Sequence, residues 1–195
     1  ATGPRDLLAM STGSPAGDDA ATDALCDALA RLHAPRARPA PPLAPLGEWF
    51  RALHREAASR GGVYEACARL ADALLASPQE VMPLHGDCHH HNVLDFGDGG
   101  WRAIDPKDRV GERGFDHAQI LCNPDLPHAA DPARFGRQLA RVAARAGFDP
   151  IRLARWTAAR AALSAAWFLE DGEEDKAARD IATARTALDW LRQAG

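Results

Sequence analysis

His85-Gly86-Asp87-Cys88-His89-His90-His91-Asn92 is followed, thirteen residues after Asn92, by Asp105 within Ala103-Ile104-Asp105-Pro106. Val81-Met82-Pro83-Leu84 leads into the first stretch as a short extended segment. Between the two stretches, Val93-Leu94-Asp95-Phe96 and Trp101-Arg102-Ala103-Ile104 flank the turn Gly97-Asp98-Gly99-Gly100, the pattern of a β-hairpin. A tight hairpin returns the chain to its starting edge, so Asn92 and Asp105 are expected at the same end of the ribbon.

An Asp, an Asn five residues on and a second Asp at the end of a later strand are the groups that phosphoryl transfer needs. Magnesium prefers oxygen ligands and keeps several waters, so one carboxylate, one amide oxygen and phosphate oxygens complete its shell. Asn92 and Asp105 supply that metal-binding set. Asp87 is then the catalytic carboxylate that receives the acceptor's hydroxyl and aligns it with the γ-phosphate of ATP. His85 is expected to brace the loop. His89, His90 and His91 stand next to Cys88, yet consecutive residues cannot all converge on one zinc ion, and one of them is expected to pack beneath the loop.

The composition of the 195 residues, 46% hydrophobic and 26% charged, belongs to an ordinary globular domain. A net charge of −4 gives no footprint for nucleic acid and suits a cationic partner better. Cys26, Cys67, Cys88 and Cys122 are scattered without a CxxC pair, so reduced thiols are expected. Neither a leader pattern nor an eighteen-residue apolar run occurs, which predicts a cytoplasmic protein without a membrane partner. The sequence carries no signal of oligomeric state.

Residues 1 to 17, rich in Gly, Pro and Ser, read as a connector with about one helical turn at Leu7–Met10. A helix is predicted from Asp18 to His33, then a stiff extended linker through Pro35, Pro39, Pro41, Pro42 and Pro45. Further helices are predicted over Leu46–Ser59 and Val63–Ala76, split by Gly61-Gly62, and over Phe115–Leu121, Asp131–Ala146, from Asp149-Pro150 onward, and Glu173–Arg192. The fold class is α+β, mainly α-helical, with a small β-hairpin at the catalytic centre. Trp49 and Trp167 are expected in the core.

Leu84-His85-Gly86-Asp87-x-His89-x-x-Asn92 and Ile104-Asp105-Pro106 resemble the aminoglycoside phosphotransferase family, small-molecule kinases related in fold to protein kinases. Val110-Gly111-Glu112-x-Gly114-Phe115, Leu163-Ser164-Ala165-Ala166-Trp167 and Asp171-Gly172-Glu173-Glu174 are similar to its streptomycin 6-kinase and hydroxyurea kinase branch. The resemblance implies a protein-kinase-like carboxyl-terminal lobe over residues 18–195 after a post-hinge connector at 1–17. It implies ATP and Mg2+ as cofactors, with Asp87 catalytic and Asn92 and Asp105 binding the metal. Asp116 matches a family Asp that steadies the catalytic loop. Glu170, Asp171, Glu173 and Glu174 are candidates for the pocket of a small cationic acceptor such as streptomycin, or else a solvated helix start. Only Lys107 and Lys176 are present, and neither matches the lysine of the family's β-rich amino-terminal lobe, so that lobe is expected to be absent from this polypeptide. The alternatives are a non-catalytic binding module and a kinase for a sugar or amino alcohol.

Overall fold

The computed structural model describes residues 5–37, 41–124 and 127–195. Residues 1–4 of the predicted connector and Pro39 of the predicted linker lie outside them. The architecture is α+β and mainly helical. Helices α1 (Leu7–Gly13), α2 (Pro15–His33), α3 (Arg51–Arg60) and α4 (Gly62–Ala76) come first. Strand β1 (Ala44–Pro45) precedes α3, and strands β2 (Val81–Leu84), β3 (Val93–Asp95), β4 (Trp101–Ala103) and β5 (Arg109–Glu112) follow α4. Helices α5 (Gly114–Leu121), α6 (Pro132–Ala146), α7 (Pro150–Glu170) and α8 (Glu174–Ala194) complete the chain.

The helix boundaries follow from capping chemistry. Asp131 and Asp149 each stand before a proline and accept from the exposed first-turn amides of α6 and α7, at Arg134 (2.6 Å) and Ile151 (3.0 Å). The same device places the start of α2 three residues earlier than the expected Asp18, because Ser14 Oγ accepts from Gly17 N and Pro15 takes the first helical position. Asp6 caps α1 through Ala9 N (2.8 Å), so this stretch holds nearly two turns rather than one. The predicted Leu46–Ser59 helix is divided: Leu46–Glu48 forms a 3-10 turn before α3.

The expected hairpin is present as β3–β4, pairing Val93 with Ala103 and Asp95 with Trp101. A second sheet, not predicted, sets β5 antiparallel to β2 and parallel to the two-residue β1. Val110-Gly111-Glu112 is too short for a period-two signal. Gly111 is required there because a Cβ would stand 2.8 Å from Leu46 Cβ. Glu112, the last residue of β5, is buried and accepts from Trp156 Nε1 (2.7 Å), Arg152 Nε (2.8 Å) and Gln79 N (2.8 Å), fastening the sheet to α7.

Helix α7 runs through the core, packed against α4, α5 and α8. Ala154, Ala158, Ala159, Ala161, Ala162, Ala165 and Ala166 are all buried along it; small side chains on several faces let neighbouring helices approach closely. Trp156, Phe50 and Phe115 fill the larger spaces, their rings meeting at centroid distances of 6.0 to 6.3 Å. Trp49 and Trp167 are only half-buried and meet edge to face at the margin of this core.

Helices α2 and α6 are held side by side by charge. Asp19, Asp23 and Asp27 bond to Arg137, Arg141 and Arg145, each acid 118 positions before its partner. Beside this ladder Asp18 is buried and accepts from Ser11 Oγ (2.6 Å), Arg134 Nε (2.9 Å), Arg137 Nη2 (2.8 Å) and Gln138 Nε2 (2.6 Å). Burial pushes the Asp18 carboxyl up, but the bonds from Arg134, Ser11 and Gln138 and the Arg134 charge outweigh it and hold it at about 2. Its folded-state value lies below the ordinary 3.8, so its contribution to stability is present above that value and is lost as pH falls towards 2. Removing one partner of a buried ion pair strands the other, so Asp18→Ala is expected to cost about 3–5 kcal/mol at pH 7. Urea unfolding of the two proteins should show that gap shrinking below pH 4; a gap that stays constant to pH 2 rules out the ionised carboxylate as its source.

Candidate functional site

Strand β2 hands the chain to the loop His85–Asn92, which β3 continues. The loop is gripped from below by α5. Asp116, fully buried in the first turn of that helix, accepts from His85 N at 2.8 Å and Gly86 N at 2.7 Å. His33 Nε2, at the end of α2, lies 2.9 Å from the same carboxylate. Gly86 has φ +80°, and a Cβ there would meet Trp49 Cη2 at 2.9 Å, so both backbone and space require glycine.

His85 is buried and stitches the loop to the segment after the hairpin. Its Nε2 donates to Ile104 O (2.8 Å), its Nδ1 accepts from Asp87 N (3.2 Å), and its carbonyl accepts from Lys107 N (2.8 Å). Ile104 N donates to Asn92 O (2.9 Å), which continues the hairpin ladder to the residue before Asp105. Asn92 and Asp105 therefore sit at the same end of the ribbon.

Asp87 is half-buried, and its two oxygens have different neighbours. Oδ1 accepts from Gln119 Nε2 (3.0 Å), with His89 Nε2 at 3.5 Å and Arg160 Nη2 at 4.0 Å. Oδ2 accepts from Asn92 Nδ2 (3.2 Å), which also donates to the Asp87 carbonyl (2.9 Å), and Lys107 Nζ stands 4.0 Å away. Burial pushes the Asp87 carboxyl up; the hydrogen bond and charge of His89, with the charges of Arg160 and Lys107, more than offset this and hold it below the usual range. Arg160 itself is buried in α7 with its guanidinium over the Phe115 and Trp167 rings, at 5.6 and 5.5 Å.

Asp105 is exposed, in left-handed backbone with φ +62°, and its carboxylate is in contact with the Lys107 ammonium. Among the described residues the Lys107 ammonium links it to Asp87, standing between the two carboxylates. Among the described residues no three His, Cys, Asp or Glu side chains converge on a common point. The donor set nevertheless fits magnesium: the Asn92 amide nitrogen is spent on Asp87, leaving its oxygen, and Asp105 adds a carboxylate at a place that already receives a positive charge.

Asp87, His89, His90, Gln119, Arg160 and Ser164 line part of an open cavity of about 460 Å3. His90 is the buried member of the histidine run, its imidazole pushed down to about 3 by burial and the Arg134 charge. The predicted acidic run does not reach this cavity: Glu170, Asp171, Glu173 and Glu174 are not among the described residues that line it. They lie at the α7–α8 turn, where Glu170 pairs with Arg55 and Glu173 with Lys176. Besides Asp87, the described acid in the cavity wall is Asp180, further along α8. His33, Lys107, Gln119 and Arg160 were not found from sequence. Gln119 falls one helical turn after Asp116, and Arg160 is the charge inside the apolar run of α7; those two left a signal, whereas His33 left none.

The family model for aminoglycoside/hydroxyurea antibiotic resistance kinases matches residues 1–172. The chain belongs to this family. Among curated proteins, a streptomycin 3''-kinase of Klebsiella pneumoniae is 55% identical over 160 residues, covering 80% of this chain and 60% of the relative. A hydroxyurea phosphotransferase of Kitasatospora aureofaciens is 32% identical over 87% of this chain and 50% of its own length. A streptomycin 6-kinase of Streptomyces glaucescens is 34% identical over 86% and 58%. The chain thus spans 50 to 60% of the length of these members of the kinase family. None of the described helices is long and apolar enough to cross a membrane.

The grip of Asp116 can be measured directly. A hydrogen bond to a charged group contributes about 1.5–3 kcal/mol, so Asp116→Ala is expected to speed amide exchange at His85 and Gly86 by at least about tenfold. Hydrogen-exchange mass spectrometry that finds this loop unchanged would count against the grip.

Proposed function

We propose that this protein transfers the γ-phosphoryl group of ATP to a hydroxyl of a small cationic acceptor, streptomycin being the first candidate, and that its fold is a protein-kinase-like carboxyl-terminal lobe. The observation that carries this reading is the Asp87–Asn92 contact at the hairpin's end, opening onto a cavity large enough for a sugar-sized group. Kinship with streptomycin and hydroxyurea kinases points to the same chemistry.

In this mechanism the acceptor enters the cavity and its hydroxyl donates to the Asp87 carboxylate. As the hydroxyl oxygen bonds to the γ-phosphorus, the bond from phosphorus to the bridging oxygen breaks. ADP leaves with that electron pair, and the hydroxyl proton passes to Asp87. Asn92 and Asp105 would hold magnesium, which supplies charge neutralisation to the phosphate oxygens. Lys107 shields Asp105 from Asp87 before the nucleotide arrives. Asp116 and His85 keep the loop at the height at which Asp87 meets the hydroxyl, because positioning supplies most of the catalysis in such reactions. A carboxylate held below its usual range remains an ionised acceptor at neutral pH.

The test is phosphate transfer from magnesium–ATP to streptomycin, hydroxyurea and a panel of amino alcohols by the purified protein and by Asp87→Asn. Loss of a positioned general base lowers rate by about 10²–10⁴-fold, which is the fall expected in kcat. Streptomycin affinity by calorimetry should change little, since the amide keeps the shape of the carboxylate. Undiminished turnover in the variant removes Asp87 from the mechanism, and transfer to none of the acceptors removes the kinase reading. Asp105→Asn is expected to raise the magnesium concentration needed for half-maximal rate; an unchanged requirement removes Asp105 as a ligand.

A further inference from the structure

Of the two lysines in the chain, Lys176 pairs with Glu173 at the start of α8, whereas Lys107 stands at the site itself. Its ammonium is in contact with Asp105 Oδ2 and lies 4.0 Å from Asp87 Oδ2, the oxygen that also accepts from Asn92 Nδ2 at 3.2 Å. A cation belonging to the chain thus lies among the three side chains assigned to the acceptor and the metal. The pairing is an exposed one: the side chains of Lys107 and Asp105 are 35 and 67% accessible, and an ion pair so placed is weak in water. It yields readily to a stronger competitor for the same carboxylate.

The backbone on either side of Lys107 is fixed, but the ammonium is not. Lys107 N donates to His85 O (2.8 Å), and the carbonyl of Asp108 accepts from Ala44 N (3.2 Å). The stem begins against the loop, since a Cβ on Gly86 would meet Lys107 Cβ at 3.2 Å. Past that carbon it is a flexible chain of methylenes, so the charge can move while the loop stays in place. A divalent cation on Asp105 carries twice the charge of the ammonium, and the two repel each other at one carboxylate. Phosphate oxygens that arrive with the metal give the displaced ammonium a new anion, one that suits a compact point charge.

We propose that Lys107 is a built-in counter-cation that couples metal binding to nucleotide binding: it neutralises Asp105 when no nucleotide is bound and moves onto the nucleotide's phosphates when a divalent cation takes that carboxylate. This rests on the kinase reading of the same site and adds to it the residue that makes metal and nucleotide bind together. Metal alone has to drive the ammonium into water, whereas metal with nucleotide provides it with a partner. Removing the ammonium therefore has opposite effects on the two ligands. A lysine that only braced the loop would, when removed, weaken both.

The experiment measures manganese binding without nucleotide, from the electron paramagnetic resonance signal of the free ion, and ATP binding in saturating magnesium by calorimetry. It compares wild type, Lys107→Met and Lys107→Arg. Exposed charge contacts of this kind predict that Lys107→Met binds manganese at least about threefold more tightly and ATP at least about threefold more weakly. Lys107→Arg, which keeps the charge, should stay close to wild type in both. Adding Asp105→Asn to Lys107→Met should abolish the gain in manganese affinity. Lys107→Gln carries the same comparison if thermal melting shows that Lys107→Met does not fold. Manganese affinity that is unchanged or weaker in the neutral variant, ATP affinity that is unchanged or tighter, or no manganese bound by any of the proteins overturns the proposal. Opposite shifts without phosphate transfer to any acceptor uphold it and overturn the kinase reading; phosphate transfer by wild type with both affinities falling in the variant does the reverse.

Discussion

The site depends on one buried carboxylate. Asp116 is removed from water and offsets that cost by accepting from two successive loop amides and meeting an imidazole from a distant helix. The loop therefore cannot rise without leaving a charge unpaired in the interior, which fixes the height of Asp87 above α5. The same helix places Gln119 on the Asp87 side chain, so backbone and side chain of the loop are referred to a single rigid element. Helix α5 is in turn held by the aromatic core through Phe115, which meets Phe50, Trp49 and Trp156.

Much of this was legible in the sequence where the signal is local. The glycine-rich turn between two apolar tetrapeptides gave the hairpin, and Asp149-Pro150 gave the start of α7, because turn and cap chemistry act over three or four residues. The grouping of Asp87 with Asn92 follows from their spacing in one loop. The three-stranded sheet escaped detection because β1 has two residues and its pairing with β5 spans 65 positions, beyond any pattern in a single window. The acidic run was ambiguous for a related reason. Local charge suits either a cationic pocket or a solvated helix start, and at the α7–α8 turn Glu170 pairs with Arg55 and Glu173 with Lys176. His33 and Arg160 reach the site through tertiary packing, which spacing along the chain does not encode.

Asp105, the proposed metal ligand, disagrees with local propensity. Its φ of +62° belongs to the left-handed region, tolerated by Asp and Asn better than by most residues. The conformation turns the chain sharply after β4 so that Lys107 can donate its backbone N–H to His85 while its ammonium covers the carboxylate. Backbone strain, loop closure and charge neutralisation are thus concentrated in three consecutive residues.

The Asp–Arg ladder between α2 and α6 has a mechanical consequence. Both partners repeat every fourth residue with a constant offset, so the two helices act as a pair of toothed racks. Each arginine also reaches a second acid, Arg137 at Asp18, Arg141 at Asp19 and Arg145 at Asp23, so an axial slip strains the pairs as a set. Sliding between these helices is therefore resisted along the whole ladder, and α2 carries this longitudinal position to His33 at its far end, beside the Asp116 carboxylate.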